Sequence, residues 1–128
     1  MRPSLLPRSI SCLYYCVIYS PPNDPNADLL ICHLQETMDR ITTSHPDAGI
    51  VIAGDMNHLD VNQLTTGSFV QVVDRPSRGS AILDKIVTII PSQYYEPPVI
   101  MAPLGHSDLN TIHHYLHTWH PGLLIFFI

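Results

Sequence analysis

Ile50-Val51-Ile52-Ala53-Gly54-Asp55-Met56-Asn57 is the stretch of sequence that decides the fold. Its first four residues are small or β-branched and apolar, which is typical of a strand buried on both faces. A glycine, an acid and an amide follow where such a strand opens into a loop. Because strand side chains alternate between faces, we expect Asp55 and Asn57 to project to one side and Met56 to turn back towards the core. The pattern predicts a central strand with polar groups at its end.

These two polar side chains suit phosphoryl chemistry. The Asp55 carboxylate can accept hydrogen bonds or hold a hard cation, and the Asn57 amide can donate to a phosphate oxygen or an attacking water. The alternative is an ordinary turn, since glycine, aspartate and asparagine are common turn residues for local backbone reasons. The stretch alone leaves both interpretations open.

The residues before the central stretch predict a β-α-β unit. Residues 12–19 are a strand candidate that Pro21-Pro22 ends. Asp24 can cap a helix whose first position is Pro25, and His45-Pro46 predicts its end. Between these limits apolar residues recur at helical spacing, at Leu30, Leu34, Met38 and Ile41. A strand, a helix and a second strand imply parallel pairing with a right-handed crossover.

The rest of the chain completes an α/β prediction. Further strands are predicted at residues 69–73 and 82–90, with Asp84 near the start of the second, and residues 99–104 lead into Gly105-His106-Ser107-Asp108. A length of 128 residues with 45% hydrophobic residues fits one globular domain. We divide the chain into an irregular segment over residues 1–11, a domain over residues 12–112 and a His-rich, apolar tail over residues 113–128.

Charge and cysteine content restrict the partners and the compartment. A net charge of −5 gives no general attraction to nucleic acid, so such contact would need a local basic patch. Three cysteines, Cys12, Cys16 and Cys32, cannot all pair, and positions four apart on one strand are too distant to bridge. We therefore favour a reducing, intracellular compartment, which would be the nucleus if the protein acts on DNA.

Neither end of the chain predicts a membrane partner. The apolar run after Arg8 is short and leads into a Pro-Pro turn, so we interpret it as a strand, with a targeting segment as the alternative. The closing apolar residues 123–128 are far too few for a membrane-spanning helix, which needs about 20 residues.

Three short motifs occur in a set order: Gly54-Asp55-Met56-Asn57, then Ile82-Leu83-Asp84-Lys85-Ile86-Val87-Thr88, then Leu104-Gly105-His106-Ser107-Asp108-Leu109. With Val17-Ile18-Tyr19-Ser20-Pro21-Pro22 upstream, this order resembles the C-terminal half of the endonuclease/exonuclease/phosphatase family. The loop Asp74-Arg75-Pro76-Ser77-Arg78-Gly79 and residues 110–112 are most similar to the endonuclease domains of non-LTR retrotransposon polyproteins. The resemblance covers residues 17–112.

The resemblance implies a layered α/β sandwich, of which this chain would form about half, and Mg²⁺-dependent phosphodiester cleavage of DNA. Asp55 and Asn57 would orient the attacking water and the scissile phosphate, and Tyr19 would donate to a phosphate oxygen. Asp84 would orient the family's catalytic histidine, and Asp108 would belong to the metal and histidine shell. In each case the alternative is an ordinary strand or turn residue.

Two arginines complete the set that the resemblance implies. Arg75 and Arg78 would contact the DNA backbone, because guanidinium groups match the geometry of phosphate oxygens. The alternative is a solvated loop.

The chain departs from the family motif at one decisive position. The family has Ser-Asp-His where this chain has Ser107-Asp108-Leu109, and leucine cannot take a proton, hold a metal or pair with Asp84. His106 would face the other side of an extended segment. Loss of general acid-base catalysis typically lowers the rate about 100- to 10,000-fold. We expect little or no activity, with a non-catalytic remnant that acts as a binding or interaction module as the alternative.

Other family residues are also unmatched. The family's metal-binding glutamate and a catalytic asparagine belong to its N-terminal half, and neither Glu36 nor Glu96 fits the glutamate position. If one sheet of a two-sheet sandwich is missing, the other keeps an apolar face with nothing to bury it, which predicts self-association.

The tail contains a separate pattern. His113, His117 and His120 would lie on one face of a helix and could bind zinc there. A solvated end without metal is the alternative that we favour, because no cysteine or acid lies nearby as a fourth ligand.

Overall fold

The computed structural model describes residues 9–57, 59–65, 67–73, 82, 84–94, 99–101, 111–116 and 123–127, with side chains described up to Tyr94. The fold is a small α/β arrangement with one helix and a four-stranded mixed sheet, as the sequence predicts in class. A three-stranded antiparallel sheet follows in the chain.

The predicted β-α-β unit is confirmed. Strand β1 (Leu13–Tyr19) leads into helix α1 (Ala27–Ser44), and strand β2 (Gly49–Asp55) returns parallel to β1. The two strands are paired over their whole length, from Leu13 opposite Gly49 to Tyr19 opposite Asp55. Six of the seven β2 residues are buried, which agrees with a central strand covered on both faces.

Helix α1 begins later than the sequence predicts. The Asp24 carboxylate accepts a hydrogen bond from the Asn26 amide (2.9 Å), and its carbonyl accepts one from Ala27 (3.3 Å). Asp24 thus closes a turn ahead of the helix, and Asn26 takes the N-cap position. The predicted C-terminal end is confirmed, since the helix stops at Ser44 and His45 is the C-cap.

Two further strands complete the first sheet. Strand β4 (Asp84–Thr88) lies antiparallel to β2, and strand β3 (Val70–Gln71) pairs antiparallel with β4, so the strand order is β1-β2-β4-β3. Both strands lie inside the predicted segments 82–90 and 69–73 but are shorter. Short 3₁₀ turns follow β2 at Val61–Leu64 and β4 at Ser92–Tyr94.

Apolar side chains pack on both faces of this sheet. On one face α1 contributes Ile31, Leu34 and Met38 to a cluster with Ile50, Ile52 and Val87. On the other face Val51, Ala53 and Ile86 pack with Ile10, Val73 and Ile90. Successive β2 residues therefore alternate between two cores, which explains why the central stretch is continuously apolar.

Strands β5 (Val99–Met101), β6 (Thr111–Leu116) and β7 (Leu123–Phe127) form the second sheet. The helical interpretation of the tail is therefore wrong over β6, which contains His113. The sequence of β6 includes Thr111, Ile112 and Tyr115, and β-branched and aromatic residues favour strands. The predicted boundary after residue 112 falls inside this strand, and His117 and His120 lie outside the described residues.

Cys12, Cys16 and Cys32 are free thiols in the structure. Among the described residues no helix is both long and apolar enough to cross a membrane.

Candidate functional site

A row of polar side chains crosses three neighbouring strands at one end of the first sheet. Tyr19 lies opposite Asp55 in the parallel β1–β2 pair, and Asp55 lies opposite Asp84 in the antiparallel β2–β4 pair. Residues that are opposite each other on paired strands point to the same face of a sheet. We call these three residues the rim row. They come from three separate sequence motifs, and the strand register alone brings them together.

The rim row lies on the face of the sheet away from α1. Val51 and Ala53 on β2 belong to the core cluster of that face, and Asp55 follows them in the same alternation. On β4 the same holds for Asp84, which precedes Ile86 by two residues. The polar row therefore continues an apolar face at the point where the strands end.

Exposure changes steeply along the rim row. Tyr19 is 68% exposed, Asp55 is half-buried and Asp84 is only 2% exposed. Aspartate is almost never fully buried without a specific reason, and like charges directly opposite each other on paired strands are destabilising. A buried acid opposite a second acid departs from the usual rules of strand pairing, and such departures occur preferentially at functional sites.

Backbone and side-chain hydrogen bonds hold the end of β1 against the end of β2. The Ser20 amide donates to the Asp55 carbonyl (2.9 Å), and Asn57 Nδ2 donates to the Ser20 carbonyl (2.6 Å). The Asn57 amide also donates to Asp55 Oδ1 at 3.2 Å. These bonds fix the position of the Asp55 carboxylate next to β1.

Asn57 differs from the sequence prediction in its orientation. Strand β2 ends at Asp55, and Asn57 has a φ of 45°, so the two-residue alternation does not extend to it. Asparagine tolerates this left-handed conformation better than most residues. Its side chain is buried and its amide binds Ser20. Asn57 therefore has a clear structural role as a turn residue, and its role towards phosphate stays a prediction. Met56 is fully buried, as predicted.

Lys85 holds the loop that follows β2. Its Nζ donates to the carbonyls of Asn57 (3.2 Å) and Leu59 (3.0 Å). Desolvation lowers the pKa of Lys85, and the nearby Asp60 carboxylate partly opposes this. No role for Lys85 was predicted from the sequence. One feature of the sequence could have indicated a role for it. Lys85 is the only lysine of the chain, and it follows Asp84 directly in an otherwise apolar strand segment.

Gly54 allows the close approach of the two strands at the rim row. It has a φ of +143°, and a Cβ added to it would lie 1.9 Å from the Ile18 carbonyl oxygen. Any side chain at this position would push β1 away from β2. The glycine of the Gly-Asp-x-Asn motif is thus required by the geometry of the sheet.

The remaining predicted site residues lie outside the described residues. These are Arg75, Arg78 and Asp108, together with the motif position Leu109. Their predicted contacts with DNA and metal stay predictions. Within the described parts of the chain, no group of three or more His, Cys, Asp and Glu side chains is placed to hold a metal ion.

The rim row combines two neighbouring carboxylates with one exposed phenol. Carboxylates accept hydrogen bonds or bind hard cations, and a phenol donates to an anion, so the row suits a metal ion and a phosphate group. Comparison of the chain with protein-family models, with curated proteins and with solved structures finds no match.

Proposed function

We propose that this chain is part of a phosphodiesterase domain of the endonuclease/exonuclease/phosphatase type, similar to those of non-LTR retrotransposons, and that it cleaves DNA poorly or not at all. The rim row is the observation that supports this proposal. Tyr19, Asp55 and Asp84 each belong to a different motif of the sequence resemblance, and they lie side by side on three strands.

The two acids of the rim row have carboxylate oxygens, which are the type of ligand that a magnesium ion binds. Mg²⁺ prefers oxygen ligands and usually takes one or two carboxylates together with waters and phosphate oxygens. When bound, such an ion would stabilise negative charge on a phosphate group. Asp108 would be a further ligand, as the resemblance implies.

The protein's own residues would bind and orient the substrate around that position. Asp55 would orient a water, and Tyr19, at the exposed end of the row, would donate to a phosphate oxygen. Arg75 and Arg78 would bind the DNA backbone through their guanidinium groups. Asp84, buried beside Asp55, would lie where the family positions its histidine.

The same residues explain why efficient cleavage is not proposed. Leu109 stands where the family has that histidine, and the loss of one general acid-base group lowers the rate about 100- to 10,000-fold. The Asn57 amide is also engaged by Ser20.

Nicking of supercoiled plasmid in Mg²⁺ tests this proposal. We expect the wild-type chain to nick no faster than Asp55→Ala, because the acid-base group is missing. Leu109→His should raise nicking above the wild-type rate, and Asp55→Ala should remove that gain in the double variant. The measurement is the fraction of open-circle plasmid over time.

Two outcomes would contradict parts of the proposal. Nicking by the wild-type chain that Asp55→Ala abolishes would show a working nuclease. If the Leu109→His variant nicks no faster than wild type, the missing histidine at position 109 is not what limits the nicking rate.

The second outcome would favour the other candidate, a non-catalytic interaction module. That candidate has its own support in the exposed apolar residues of β1, where Val17 is 67% and Tyr19 68% exposed.

A further inference from the structure

Strand β1 is a long, uncharged strand at the edge of the first sheet. It pairs with β2 on one side, and in the described part of the chain no strand pairs with its other side. Four large side chains on this strand are exposed, namely Tyr14, Tyr15, Val17 and Tyr19. The sequence Leu-Tyr-Tyr-Cys-Val-Ile-Tyr contains no charged residue and no proline, the two features that commonly protect an edge strand.

The opposite edge of the same sheet is different. Strand β3 consists of Val70 and Gln71, whereas β1 has seven residues. A very short edge strand offers few backbone groups to a partner. The two edges of one sheet therefore differ in their capacity to pair, and β1 is the edge that can extend the sheet.

We propose that β1 pairs antiparallel with β1 of a second copy of this chain, about a two-fold axis at Cys16. The pairing would join the two four-stranded sheets into one continuous sheet. This inference uses only β1 and does not depend on the proposed phosphodiesterase ancestry.

The sequence of β1 is complementary to itself in this register. Cys16 would lie opposite Cys16 of the second copy, and Tyr15 opposite Val17 of the second copy. The next pairs outward join Tyr14 to Ile18 and Leu13 to Tyr19. Aromatic residues paired with β-branched ones contribute roughly 0.2–1 kcal/mol each, and no two like charges meet. Since each copy uses the long edge of its first sheet about a two-fold axis, this pairing closes as a dimer.

Sedimentation velocity over a range of concentrations tests the interface. We expect wild type to be dimeric and Val17→Lys to be monomeric, because a lysine on an edge strand disfavours pairing. Val17 is 67% exposed, so its replacement should leave the core intact, which circular dichroism can verify. Val70→Lys is the matched control at an exposed position of the other edge, and it should remain dimeric. A monomeric wild type, a dimer that survives Val17→Lys or open-ended oligomers would each overturn the proposal.

Disulfide cross-linking through the native Cys16 thiols tests the register. Residues opposite each other in antiparallel strands have Cα atoms about 4.5–5.5 Å apart, within the range of about 4.4–6.8 Å for a disulfide. With copper-phenanthroline as the oxidant, two Cys16 thiols should lose two electrons and two protons and form a bond between copies. The Cys12→Ser, Cys32→Ser double variant should cross-link as wild type does, and Cys16→Ser should not. Cross-linking that persists in Cys16→Ser would contradict the register.

Discussion

Gly54 shows how one residue can set both a strand pairing and the position of a carboxylate. With a φ of +143° and the Ile18 carbonyl oxygen 1.9 Å from where a Cβ would be, it leaves no room for a side chain. Asp55 follows directly, so its place in the rim row depends on this close approach.

Gly54→Ala should therefore destabilise the protein by on the order of 3 kcal/mol or more, in the range of the most damaging single substitutions. Gly67 is a matched control, because it also has a positive φ (+62°) but nothing lies within 4 Å of an added Cβ. Gly67→Ala should lose only about 1–2 kcal/mol from the left-handed backbone. Urea denaturation of the two variants measures the difference, and equal losses would contradict the steric explanation.

Tyr15 gives the protein a dependence on alkaline pH. Although the residue is 38% exposed, partial burial raises the pKa of its phenol above the ordinary value of 10.0. Above that value the unfolded chain loses the proton while the folded chain keeps it. The contribution of Tyr15 to the free energy of unfolding is therefore complete below pH 10.0 and decreases as the pH rises further.

Wild type should thus lose more stability than Tyr15→Phe between neutral pH and pH values above 10.0, since phenylalanine has no proton to lose. Urea denaturation at both pH values measures this. Parallel losses in the two proteins would show that Tyr15 does not titrate differently on folding.

The sequence identified the acids of the rim row but not that they lie directly opposite each other on paired strands. Asp55 and Asp84 were named from motifs, whereas their position opposite each other depends on the antiparallel register of β2 and β4. That register joins residues 29 positions apart in the chain, which the motif of neither strand alone determines. The predicted orientation of Asn57 was wrong because it assumed strand alternation, and strand β2 already ends at Asp55.

At the level of secondary structure, the β-α-β unit was predictable because its signals are local and periodic. The apolar run of β2 and the helical repeat of α1 each determine their element type. The helix start was less predictable, since Asp24 uses its side chain for a turn ahead of the helix. Strand β6 was not predicted, although Thr111, Ile112 and Tyr115 are residues that favour strands.

The loop after β2 depends on one side chain from β4. Lys85→Met would remove the donors to the Asn57 and Leu59 carbonyls. Loss of these hydrogen bonds from a charged donor should destabilise the loop by about 1–3 kcal/mol. Hydrogen exchange should become faster in this loop, as measured by mass spectrometry.

Arg40→Met is the matched control. Arg40 lies exposed on α1, and its replacement removes the same single positive charge. It should leave exchange in the loop unchanged. Equal effects of the two variants would indicate a general charge effect and not a local contact of Lys85.

On the scale of the whole molecule, two surfaces of the first sheet have features that a purely structural role does not require. The rim row places two acids opposite each other on paired strands, and the edge strand β1 exposes large apolar side chains. The prediction of exposed apolar residues from the sequence is confirmed on β1. We propose that the first surface is what remains of a metal and phosphate site and that the second is an interface between two copies.

Thermal unfolding with and without Mg²⁺ tests the central proposal, the metal site at the rim row, most directly. Mg²⁺ should raise the Tm of wild type and of the control Asp39→Asn, an exposed acid on α1, but not that of Asp55→Asn. A Mg²⁺ effect of the same size in Asp55→Asn, or none in wild type, would contradict a metal site formed by these acids.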